Sequence, residues 1–133
     1  MRIVLDTNVL VSGIFFQNTI PSHILNNWLE GKFHVYATPK ILAEYIRVID
    51  RISLKREPAF EHHWQVVLPK LCHIIADERK YFPVSRDPFD DKFIFCAIRS
   101  KSQYLITGDM DLKVLSLSYN FKIVSPREFI NLL

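Results

Sequence analysis

The sequence predicts an α/β fold, a three-layer α/β/α sandwich around a mainly parallel central sheet. Three observations carry that expectation. Short apolar, β-branched runs alternate with longer polar-patterned stretches along the whole chain. Three of those stretches open on a capping residue followed by proline: Thr38-Pro39, Asp87-Pro88 and Ser125-Pro126. Finally, 133 residues with 49% hydrophobic, 23% charged and only 3 glycines suit one packed core, not a linker, a repeat array or a disordered chain. The expected unit is a single domain over residues 1–133.

The elements follow in order. Ile3-Val4-Leu5 is a compact run that stops at Asp6, as a buried strand would. Phe33 to Ala37 is the second strand. Thr38 caps a helix over 39–50, where Ile41, Leu42, Tyr45, Val48 and Ile49 recur at helical spacing. Residues 51–70 are the least decided: Arg51 to Arg56 is basic, and Pro58 reopens a helix. Leu71 to Ala76 reads as a third strand, and Asp87-Pro88 opens a helix to residue 100 through Phe93, Phe95, Cys96, Ala97 and Ile98. Tyr104 to Thr107 is a fourth strand, Met110 to Leu117 a helix and Phe121 to Val124 a fifth strand. Ser125 with Glu128 makes a capping box for a last short helix.

Composition excludes several classes. Cys72 and Cys96 are too few for a disulfide framework and lack metal-type spacing, so a reducing compartment is expected. No window approaches the ~20 apolar residues of a membrane helix. Met1 to Asp6 meets an acid too early for a signal peptide. The expectation is a cytoplasmic protein with no membrane partner. The net charge of +3, from 17 cations against 14 acids, permits an anionic partner without requiring one.

In an open parallel sheet, ligands bind beyond the carboxyl ends of the strands. Asp6 ends the first strand there. Asp109 follows the fourth within Thr107-Gly108-Asp109-Met110-Asp111, Asp90 and Asp91 fall in the first turn of the helix after Asp87, and Glu44 lies one turn into the helix after strand two. Each acid alone has a plain structural role. Asp87 suits an N-cap, Asp90 a capping partner, Asp109 a cap for the next helix, and Glu44 an exposed helix position. Together, three or four carboxylates at one edge would repel by several kcal/mol at ~4 Å in a low dielectric. A divalent cation resolves that. Oxygen ligands without a His or Cys cluster point to Mg²⁺ or Mn²⁺ over zinc. His62 and His63 face ~100° apart on a helix and are not expected to act as acid or base, while His23, His34 and His73 suit packing or surface.

Leu5-Asp6-Thr7-Asn8-Val9-Leu10-Val11-Ser12 resembles the opening motif of PIN-domain nucleases. Thr38-Pro39 through Glu44-Tyr45 resembles their second motif. Arg86-Asp87-Pro88-Phe89-Asp90-Asp91-Lys92-Phe93 and Thr107-Gly108-Asp109-Met110-Asp111-Leu112 resemble the third and fourth. All four occur in order between Arg2 and about Leu132, in the form of the subgroup of toxin–antitoxin toxins related to VapC. The resemblance implies a PIN-like fold and Mg²⁺- or Mn²⁺-dependent cleavage of RNA. Carried over by position, the catalytic and metal-site acids are Asp6, Glu44, Asp91 and Asp109. Asp91 is preferred to Asp90 because it lies 18 residues before Asp109, the family's usual separation. Asp90 and Asp111 are further metal candidates, and Asn8, Ser12 and Thr107 match supporting polar positions. Lys92 departs from the small residue many members carry, and as a cation it would blunt metal binding or touch phosphate. The subgroup also implies an antitoxin partner and a homodimer.

RNA grip is expected from Arg47, Arg51, Lys55 and Arg56 beyond Glu44, and from Arg86, Lys92, Arg99 and Lys101 near the third motif. Phe15, Phe16 and Tyr45 are candidates for base stacking, with core packing expected for at least two. The leading expectation is an endoribonuclease toxin. The alternative is a catalytically inactive PIN-fold scaffold that binds RNA or protein. Phospho-aspartate chemistry fits poorly: haloacid-dehalogenase phosphatases want a second Asp where Asn8 stands, and Asp77-Glu78 lacks the surroundings of a receiver acceptor. Setting aside the four site acids leaves 17 cations against 10 acids, +7 on the rest of the domain.

Overall fold

The computed structural model describes residues 1–55, 58–77, 91–113 and 119–133, the side chains of 58–62 and of Met110 excepted. In chain order the elements are β1 (Arg2–Leu5), α1 (Thr7–Phe15), α2 (Ile20–Leu29), β2 (His34–Ala37), α3 (Pro39–Ser53) and α4 (Pro58–Leu71). Then follow β3 (His73–Ile74), α5 (Asp91–Ser100), β4 (Tyr104–Ile106), α6 (Met110–Lys113), β5 (Lys122–Val124) and α7 (Pro126–Ile130). The strands form one sheet in the order β3-β2-β1-β4-β5, every neighbouring pair parallel. Helices cover it in an α/β/α arrangement. The expected fold class is borne out, with a sheet that is wholly parallel.

β1 takes the centre because it is apolar on both faces: Ile3, Val4 and Leu5 are fully buried. The chain winds outward from β1 through β2 to β3, then returns to β4 and β5 on the other side of β1. The direction of winding reverses between β1 and β4, and ligands bind at such switch points. Two of the three predicted caps are present: the Thr38 hydroxyl accepts the amide of Ile41, and Ser125 and Glu128 form the capping box of α7. Asp87-Pro88, the third, lies outside the described residues. Ile41, Tyr45 and Ile49 give α3 its buried stripe. α1 packs so closely on α2 that a Cβ at Gly13 would come 2.7 Å from both Leu25 Cδ1 and the Pro21 carbonyl oxygen.

The third strand departs from expectation. Leu71 closes α4 and packs against the core, and Cys72 is buried, so this apolar pair belongs to the helix side. Only His73 and Ile74 pair, with Tyr36 and Ala37. α3 continues to Ser53, beyond the expected end at residue 50, and α6 is described only as far as Lys113. Cys72 and Cys96 are buried free thiols. No described helix is long and apolar enough to cross a membrane.

Candidate active site

The register of the two central strands builds the site. Leu5 pairs with Ile106, so Asp6 and Thr107 leave β1 and β4 side by side, and the Asp6 amide donates to the Ile106 carbonyl at 2.9 Å. The Thr107 hydroxyl donates to Asp6 Oδ2 at 2.6 Å and accepts the Asp109 amide at 3.0 Å. One buried threonine thus fixes the first acid and the segment that carries the fourth. Asp6 is only 8% exposed. Burial pushes its carboxyl above the ordinary range; the Thr107 hydroxyl and the nearby amides of Asn8 and Thr7 oppose that, and the charge of Glu44 adds to it.

Glu44 reaches Asp6 because α3 is fastened to the end of β1. Tyr45, fully buried, donates its phenol hydrogen bond to the Leu5 carbonyl. Glu44 then receives the Thr7 hydroxyl on Oε2 and the Lys92 ammonium, 2.8 Å away, on Oε1. Arg47 stands 3.8 Å from the same Oε1 but is 73% exposed, one helical turn further on. Asp91 sits in the first turn of α5 at 2% exposure, the acid side of a helix dipole.

The remaining expectations sort as follows. Asp109 is exposed and accepts the amide of Asp111 at 2.9 Å, so it caps α6, the plain role weighed for it. Asp111 is exposed. Asn8 is exposed and Ser12 half-buried on α1; among the described residues it is Thr107, not these two, whose side chain bonds Asp6. Arg51 and Lys55 are exposed along and beyond α3. Asp90, Arg86 and Arg56 lie outside the described residues. Of the aromatics, Tyr45 is buried and Phe15 packs on the core, while Phe16 is 51% exposed. His34 and His73 are exposed and share a 3.1 Å hydrogen bond where β2 and β3 begin, at the sheet edge opposite the acids. The motif reading passed over Thr7 as a holder of Glu44. Its only signal was a hydroxyl beside the first acid.

Among the described residues no three His, Cys, Asp or Glu side chains are gathered closely enough to hold a metal ion together. The donor chemistry nonetheless fits a hard divalent cation. Folding brings Glu44 near enough for its charge to oppose the ionisation of Asp6, and the groups around the two carboxylates are oxygens and cations.

A parallel sheet in this order, with acids just beyond β1 and β4, one turn into α3 and at the start of α5, defines a class. The sequence matches the PIN domain family over residues 2–111, and the chain belongs to that family. This bears out the resemblance carried by the four motifs. The chain is 33% identical over 140 aligned residues to the uncharacterized protein MJ1680 of Methanocaldococcus jannaschii, covering 98% of this chain and 90% of that protein. Its fold is also that of VapBC2 from Rickettsia felis, a crystal structure bound to a DNA fragment from its promoter. That match has a TM-score of 0.62 and 16% identity over 94% of this chain and 98% of the other.

Proposed function

We propose that this protein is a metal-dependent endoribonuclease, the toxin of a toxin–antitoxin module, acting as one domain over residues 1–133 in the cytoplasm. The observation that carries the reading is the pairing of Asp6 with Glu44 at the switch point, both anchored by threonine hydroxyls. Asp6 and Asp109 would hold one Mg²⁺ or Mn²⁺, with Glu44 and Asp91 completing its shell or holding a second, and Asp90 and Asp111 as further candidates. Such an ion supplies a water made acidic enough to attack at neutral pH and a charge sink for the phosphate.

The chain's own residues do the rest. Thr107 holds one Asp6 oxygen, and the amides of Asn8 and Thr7 also favour its carboxylate. Arg47, Arg51, Lys55, Arg86 and Lys92 are proposed to follow the RNA backbone. The partners proposed are RNA, a cognate antitoxin covering the site and a second copy of the chain. The VapBC2 likeness supports the antitoxin reading through a shared fold. The test is cleavage of RNA by purified protein with Mg²⁺ or Mn²⁺, with EDTA, and as Asp6→Asn and Asp109→Asn. Cleavage that survives chelation or either substitution overturns the metal-site reading, and RNA binding without cleavage under every metal condition favours the inactive scaffold.

A further inference from the structure

Both oxygens of Glu44 carry a partner. Oε2 is taken by Thr7 and Oε1 by Lys92, with Arg47 more distant on the same atom. A divalent ion approaching Glu44 meets a cation already paired with it. Lys92 is the partner that matters, because its side chain is 12% exposed against 73% for Arg47. A pair so shielded is screened far less than a surface pair, and removing one member leaves the other charge uncompensated. Lys92 also directly follows Asp91, itself buried, so the ammonium is tethered within the acidic site.

We infer that Lys92 is a built-in counter-cation that holds Glu44 in the metal-free protein and competes with the divalent ion for it. This rests on the metal-dependent reading above and deepens it. An intramolecular competitor lowers apparent affinity by the fraction of time it leaves its site free. If Lys92 frees Glu44 about a tenth of the time, the apparent affinity falls about tenfold. Lys92 is in this sense a positioning residue. It keeps Glu44 in place before metal arrives.

The test titrates Mn²⁺ calorimetrically into EDTA-treated wild type, Lys92→Met and Lys92→Arg, and records the Tm of each without metal. The expected result is Lys92→Met binding Mn²⁺ about tenfold more tightly than wild type while melting lower without metal, and Lys92→Arg keeping affinity near wild type. Should Lys92→Met not fold, Lys92→Gln is judged by the same two readings. Mn²⁺ bound by wild type and Lys92→Met with equal affinity, or more weakly by the variant, overturns the role of Lys92 and leaves the metal site standing. No Mn²⁺ bound by any of these proteins overturns the metal-dependent reading and this inference with it.

Discussion

At the end of β1 a carboxylate is held almost out of water, and burial raises its pKa above the ordinary value of 3.8. The native state therefore binds that proton more tightly than the unfolded chain does. Its contribution to stability is full below the unfolded value and is lost as pH rises through the folded one. Asp6→Asn is accordingly expected to raise the Tm of the EDTA-treated protein at pH 7. Melts from pH 4 to 8 should show the gain shrinking as pH falls. The same variant should lose nuclease activity by at least about 100-fold, since even groups that only orient metal ligands are worth about 10–100-fold. Thr107→Val tests that orienting role alone. It removes the hydroxyl between Asp6 and the Asp109 amide, and Mn²⁺ affinity measured by calorimetry should drop about 10–100-fold with the fold intact.

Two contacts between elements are tested by single substitutions. The Tyr45 hydroxyl joins α3 to β1, and Tyr45→Phe strands a buried carbonyl acceptor at a cost of about 1–2 kcal/mol in urea unfolding. Because Glu44 is the adjacent residue, activity should decline with it; full activity would show that this bond does not position Glu44. Gly13 is where α1 meets α2. Alanine is the better helix former by about 1 kcal/mol, yet its methyl would collide with the Pro21 carbonyl. Gly13→Ala is therefore expected to destabilise by about 1–3 kcal/mol, the range for overpacking, and a rise in Tm would refute the close approach.

Over the whole molecule, a net charge of +3 conceals the four proposed site acids among seventeen cations. If Arg47, Arg51 and Lys55 each meet a phosphate, the slope of log affinity against log salt should be about −2 for single-stranded RNA. Raising salt from 50 to 200 mM would then weaken binding about 20-fold, and Arg47→Ala with Arg51→Ala would flatten the slope by about 1.4. An unchanged slope, read by fluorescence anisotropy at several salt concentrations, would remove α3 from the RNA path.

The strands at the centre were legible because a doubly buried strand must be apolar at every position, as Ile3-Val4-Leu5 is. The caps at Thr38 and Ser125 were legible because a hydroxyl before proline meets a local need of the backbone. Leu71-Cys72 misled for the same reason: an apolar pair serves a helix end as well as a strand, and only packing chose. The positions of Asp6, Glu44 and Asp91 in their elements were therefore readable from the chain. Their relations were not. The pairing of Asp6 with Thr107 depends on the β1–β4 register, that of Glu44 with Lys92 on how α3 and α5 meet, and the capping role of Asp109 on one amide contact. The sequence by itself determined which acids stand at strand and helix ends, since those positions answer to local backbone chemistry. Tertiary structure alone decided which of them share a partner, because that follows from crossovers joining residues up to 101 positions apart.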